Sequence, residues 1–218
     1  MPRTPSRNSE ALIAELVGGL EPVKPLRFGT GMALTLIAAA AATVLVVAMY
    51  GLRADLAAGR FDPMHLVSTG LFLGLGLAAS FAVIVMSRPL VGNEHGGWRW
   101  AAGMAGALPL AALIIGLSRG GDTIPLHLAN HGVQCFTVGA AASLIVFAAL
   151  VMWLRRGAPT APDRAGLVAG IAAGAFGTFA FALHCPDNDI VHIGLWHSAP
   201  VFAMALLGRA IVPRLIRW

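Results

Sequence analysis

Six stretches of this chain, residues 29–52, 64–87, 101–118, 128–154, 165–184 and 193–212, are built mainly from Leu, Ala, Val, Ile, Phe and Gly, and none contains an acidic residue or a lysine. A helix rises ~1.5 Å per residue and the hydrocarbon core of a bilayer is ~30 Å thick, so each stretch is long enough to cross. Composition points the same way: 57% of residues are hydrophobic and 11% charged, where soluble domains average roughly 45–50% and 25%. The expected fold is therefore all-α, a polytopic membrane helix bundle with six transmembrane helices. No connection between stretches exceeds about a dozen residues, which excludes a large catalytic domain outside the lipid. Two units are expected, a segment over residues 1–27 and a six-span membrane domain over 28–218. The first stretch does not read as a cleaved signal, because it is too long for an h-region and five more follow.

The net charge is +5, from 15 Lys and Arg against 10 acids. Without regard to position this could suggest nucleic acid, but the basic residues are spread over the ends of loops, as expected of residues that set topology. Counted over alternate connections, 12 fall on the side of the N-terminus and 3 (Arg53, Arg60 and Arg119) on the other. The positive-inside rule then places both termini in the cytoplasm and makes direct nucleic-acid binding an unneeded reading. Trp98, Trp100, Trp153 and Trp218 fall near the inner interface, and Tyr50 and Trp196 near the outer one, as aromatic belts do.

Small residues four apart let helices approach closely in lipid, where no hydrophobic force drives them together. Gly166, Gly170 and Gly174 have this spacing, as do Gly70 and Gly74, and both sets are read as packing surfaces. Pro109 and Pro200 fall inside spans three and six and are expected to kink them.

Residues 9–20 read SEALIAELVGGL, with Leu12, Ile13, Leu16, Val17 and Leu20 on one helical face, Ser9 as N-cap and Glu10 in the first turn. About 12 residues is marginal for an isolated helix, so the segment should fold against something. Two surfaces compete, the inner leaflet and a groove on a cytoplasmic protein. Glu10, Glu15 and Glu21 would be repelled by anionic lipid, which favours the groove.

Both cysteines and six of the seven histidines map to the outer side. Cys135 lies one helical turn from His131, Cys185 follows His184 and precedes Pro186, and His192 and His197 open span six. Three chemistries fit this cluster. Cys135 and Cys185 can form a structural disulfide in an oxidising compartment. The same pair can act as a redox switch. Alternatively, His131, Cys135, His184 and Cys185 can close a tetrahedral site for zinc or another soft divalent metal. A span starting at 128 would put Cys135 ~10 Å below the outer end, whereas a start near His131 would bring the two cysteines level.

Enzyme signatures are missing: there is no phosphate-binding loop ending in Lys-Ser or Lys-Thr, no HExxH and no GxSxG. Nor do the spans carry the acidic or lysine side chains of an ion relay. Another class remains open, a small His/Cys metal- or haem-binding membrane redox protein.

Several segments together resemble the NrsF-type membrane anti-sigma factors, negative regulators of the extracytoplasmic-function (ECF) sigma factor sigma-F. They are LIAELVGGLEPVKPLR (12–27), SRP (87–89), Cys135 early in span four, FALHCPDNDIVHIGLWH (181–197) and GRAIVPRLIRW (208–218). One departure is His197, where the family pattern has an aromatic residue. The resemblance implies a bacterial inner-membrane regulator with no catalytic activity. Its cytoplasmic N-terminal region would sequester an ECF sigma factor, here through Leu12, Ile13, Leu16 and Leu20. Cysteines matching Cys135 and Cys185 would be needed to respond to heavy-metal or oxidative stress. The HxxxCxxC motif of soluble zinc-binding anti-sigma factors is half present, since Val138 stands at its last position.

Overall fold

The computed structural model describes residues 7–20, 25–89, 96–118 and 132–216. Within them the chain is helical and has no strand. In chain order the helices are α1 (Arg7–Gly18), α2 (Phe28–Tyr50), the single turn α3 (Ala54–Ala57), α4 (Pro63–Met86), α5 (Gly97–Ser118), α6 (Gly132–Arg156), α7 (Pro162–Ala182) and α8 (Ile190–Leu215). Six of them, α2 and α4 to α8, are long and apolar enough to cross a membrane. Their ends lie within four residues of the expected spans, and the described part of the fourth begins at Gly132, which puts Cys135 in its first turn. His127, His131 and Arg119 lie outside the described residues, as do Lys24 and Trp218.

At the centre stands α7, 89% of whose apolar window is buried, against 28% for α2 and 22% for α5. Its sequence, AGLVAGIAAGAFGTFAFA over residues 165–182, is small on every face, so neighbours can close around it on all sides. A Cβ at Gly166, Gly170 or Gly174 would strike backbone atoms of Gly208, Met204 and Val201 on α8. One at Gly177 would strike Gly139 and Ser143 on α6. The expected packing stripe is therefore real on α7. It is absent from α4, where a Cβ at Gly70 or Gly74 meets nothing within 4 Å. There Gly76 is the packed position, against the ring of Phe176.

Two buried hydroxyls bond back within their own helices, Thr35 to the Gly31 carbonyl at 2.9 Å and Ser143 to the Gly139 carbonyl at 2.7 Å. Ser87, from the SRP segment, joins three elements at the end of the bundle away from the cysteines. Its hydroxyl accepts from Trp153 Nε1 at 3.1 Å, and its carbonyl accepts from Ala158 N at 2.9 Å. Trp153 in turn lies where a Cβ on Gly31 would be. Outward faces are apolar: Ile37, Val44, Leu117 and Leu206 are each more than 60% exposed, as suits lipid contact.

Pro109 lies inside α5 as expected. Pro200 cannot donate to the carbonyl four residues back, and the five residues Ile193–His197 just before it are wound as a π turn. Helix α1 begins at Arg7, so Ser9 sits inside its first turn and does not precede it as an N-cap. Leu12, Ile13, Leu16, Val17 and Leu20 are all exposed, with Leu16 at 62%.

Candidate functional site

Two aspartates start the helices that carry the site. Asp62 caps α4 by accepting from His65 N at 3.0 Å, and Asp189 caps α8 by accepting from Val191 N at 2.8 Å and His192 N at 3.4 Å. Each cap lies three residues ahead of a histidine and places it in the first turn, facing the bundle axis. His65 is 4% exposed and His192 is 1%. After α7 the chain turns on the Cys185 N to Phe181 carbonyl bond, 3.1 Å, and Pro186 prevents further helix.

These turns bring four buried side chains together: Cys135, Cys185, His192 and His197, whose ligand atoms all lie within 4.8 Å of one another. The two sulfurs are 3.9 Å apart. His192 Nε2 lies 3.3 Å from Cys135 Sγ and 3.7 Å from Cys185 Sγ. On the far side of that ring, Nδ1 is 3.4 Å from Asp187 Oδ2.

His197 reaches the cluster only because of the π turn. Residues five apart on a regular α-helix point about 140° away from each other. The wider turn brings them round, so the His192 and His197 rings sit 5.4 Å apart. Thr178 on α7 pins this geometry by donating to the His197 carbonyl at 2.9 Å.

Of the residues expected from sequence, Cys135 and Cys185 meet, at matching depth. His184 is not one of the four: it is half-buried and lines the cavity beside them, but its Nδ1 is 3.2 Å from the Gly51 carbonyl and its ring packs 5.6 Å from Tyr50 and 5.5 Å from Phe181. His131 lies outside the described residues. His192 and His197 take the neighbouring positions, and the sequence signal that marks the first of them is the Asp189 cap three residues upstream.

By position in the sequence Arg53 is a loop charge, yet it is only 6% exposed. Its Nη1 donates to the Cys185 carbonyl at 2.8 Å and to Asn188 Oδ1 at 3.0 Å, and lies 2.9 Å from His65 Nδ1. Nε and Nη2 form a fork on the Asp55 carboxylate at 2.7 Å each. The guanidinium holds the Asp55 carboxyl well below the usual carboxylate range, at about 2. Because that carboxyl is depressed in the folded protein, its contribution is complete above ~3.9 and lost only as the pH falls toward the folded value, so the clamp is intact at neutral pH. The Cys185 thiol is also held below its ordinary range, first by the hydrogen bond from Cys135 and then by the neighbouring histidines, while burial acts the other way.

Arg53 thus fixes the segment that presents Cys185. Arg53→Gln should accelerate alkylation of Cys185 by about 10- to 100-fold, in line with losing one charge-assisted hydrogen bond of ~1.5–3 kcal/mol. Mass spectrometry of a maleimide time course reads this directly, and an unchanged rate would show that the clamp does not control access.

A half-open cavity of about 370 Å³ reaches the cluster and is lined by Gln134, Cys135, Phe181, Cys185, Asp187 and His192 among others. The site can therefore receive a small ion or oxidant from its own end of the bundle. What it offers chemically is two thiols and two imidazoles, with a carboxylate behind one ring.

Residues 16–218 match the family model described as negative regulator of sigma F, NrsF. The probable anti-sigma-F factor NrsF of Azospira oryzae is 30% identical over 214 residues, covering 96% of this chain and 99% of that protein. The anti-sigma-F factor NrsF of Caulobacter vibrioides is 32% identical over 215 residues, covering 96% and 97%. No solved structure matches the chain.

Proposed function

The chain belongs to the NrsF family of negative regulators of sigma F, and from that premise we propose that it is a membrane-bound anti-sigma factor for a sigma factor of the ECF type. It holds the sigma factor at the cytoplasmic face of the inner membrane and releases it when heavy-metal or oxidative stress acts on Cys135 and Cys185. Its role is regulatory, and DNA is reached only through the sigma factor.

The observation that carries this reading is the separation of the two chemistries along α2. That helix has 23 residues, or ~34 Å of rise. Its C-terminal end, at Tyr50, packs 6.2 Å from Phe181 beside the thiol cluster. At its other end Phe28 packs 5.0 Å from Phe81, and the chain carrying the exposed apolar stripe of α1 enters there. One end bears reactive sulfur and the other bears an amphipathic helix whose apolar side chains are exposed, the layout of a transmembrane relay. The surplus of arginine at the α1 end supports a cytoplasmic N-terminus, and six crossings bring the C-terminus to the same side.

For release to be effective, the two states must differ in sigma affinity by about 3–5 kcal/mol. Both cysteines lie where α6 and α7 meet α8, so chemistry there alters the packing of the most buried helix. Co-purification of the sigma factor with the full-length protein in detergent, before and after exposure to cadmium or peroxide, tests the reading. Retention before and loss after is expected, and failure to retain any sigma factor would overturn it. Cys185→Ser should abolish induction of a sigma-dependent reporter and leave basal repression intact. Unchanged induction would reduce the cysteine pair to a structural role.

A further inference from the structure

We propose that Cys135, Cys185, His192 and His197 form a tetrahedral site for a soft divalent d10 cation, zinc or cadmium, with Asp187 as a positioning residue behind His192. The proposal deepens the sensor reading and rests on it for its biological consequence, though not for the binding itself.

Geometry carries the assignment. An ion with ~2.3 Å bonds to sulfur and ~2.05 Å bonds to nitrogen at tetrahedral angles separates two thiolates by ~3.8 Å and a thiolate from an imidazole nitrogen by ~3.6 Å. The observed sulfur separation is 3.9 Å, and His192 Nε2 is 3.3 and 3.7 Å from the two sulfurs. Three donors thus already stand at the corners of such a tetrahedron. The fourth is His197, one of whose ring nitrogens lies within 4.8 Å of the other three donor atoms. His197 is 4% exposed, and its Nε2 has no hydrogen-bond partner among the described residues. Leaving a buried imidazole nitrogen unsatisfied is costly, and a metal bond removes the cost.

Charge selects the class of ion. Two thiolates and two neutral imidazoles carry −2, so a divalent cation gives a neutral site. A monovalent ion would leave a net negative charge among four side chains that are all at most 4% exposed. Soft sulfur donors and tetrahedral geometry favour zinc and cadmium over magnesium, calcium or manganese. Asp187 completes the arrangement. Its carboxylate stands 3.4 Å from His192 Nδ1, close but without hydrogen-bond geometry; a metal on Nε2 would put the ring proton on Nδ1, facing that carboxylate, as in the carboxylate–histidine–zinc arrangement. Binding releases the protons that the thiols and the ligating imidazole nitrogens still carry, and involves no oxidant or reductant.

The test uses reduced full-length protein in detergent without any sigma factor, titrated with Co²⁺ as a spectroscopic probe and then with Zn²⁺. One equivalent of Co²⁺ should give thiolate charge-transfer and tetrahedral d–d bands that Zn²⁺ abolishes, and Zn²⁺ should shield both cysteines of the unaltered protein from maleimide. Cys135→Ser and His197→Gln should each weaken binding at least ~100-fold, and Asp187→Asn about 10- to 100-fold. His184→Gln should have no effect.

No stoichiometric binding to the unaltered protein overturns the proposal. So does binding that depends on His184 and survives His197→Gln. Because the shielding assay needs no variant, a substitution that fails to fold leaves it decisive. Sigma retention by the same preparation is scored separately, so a protein that holds sigma but no metal overturns only the metal site.

Discussion

Leu16→Asp should abolish capture of the sigma factor and leave the six-helix domain intact. Leu16 is 62% exposed on α1, on one face with Leu12, Ile13 and Leu20, and its side chain is not part of the buried core of the bundle. If that face docks in an apolar groove, losing the leucine forfeits ~1.5–3 kcal/mol of burial. Forcing a carboxylate into the groove adds a desolvation cost of at least comparable size. The sum, about 4 kcal/mol or more, corresponds to roughly a 1,000-fold weaker complex. Co-purification of sigma with the full-length variant should therefore fail, and a sigma-dependent reporter should be constitutively active. Leu16→Met, which keeps apolar volume, should behave as the unaltered protein does. Sigma retained normally by Leu16→Asp would remove α1 from the binding interface.

The second large effect is on the bundle itself. Gly170→Val should destabilise it by at least ~3 kcal/mol, the upper range of ordinary overpacking. The obstacle is the main chain of α8 at Met204 and Ala205, not the flexible tip of a side chain, so no rotamer change relieves it. The helices must separate, and α7 packs against most of its neighbours. The contrast is Gly70→Ala on α4, where the added methyl meets open space and gains up to ~1 kcal/mol of helix propensity. Thermal dispersity measurements in detergent should show Gly170→Val aggregating well below the unaltered protein and Gly70→Ala unchanged or slightly improved. Equal melting of Gly170→Val and the unaltered chain would show that the α7–α8 contact is looser than the structure has it.

The two glycine stripes show where spacing stops being informative. A four-residue repeat makes a smooth helix face whatever lies opposite, and only the arrangement of neighbours gives α7 a partner there and α4 none. The histidines illustrate the same boundary. From spacing alone His184, adjacent to Cys185, is the natural ligand, whereas His192 and His197 lie five apart and point in different directions on a regular helix. A π turn before Pro200 reverses that, and winding of this kind is set by how α8 packs on α7 and by the bond from Thr178. Arg53 was legible as a charge at a loop end. Its burial against the Cys185 carbonyl depends on residues 132 positions apart, beyond the reach of any local pattern.

By itself, the sequence determined the six apolar helices, their approximate ends, the amphipathic face of α1 and the presence of two thiols beside histidines. Those features follow from transfer free energy and helical periodicity, which are local properties of composition and spacing. The tertiary structure alone decided which histidines face the thiols, which glycines are contact points, and that Arg53 is a clamp. Each of these depends on side chains from different helices meeting at a few ångströms, and only the packing of the whole bundle around α7 sets such distances.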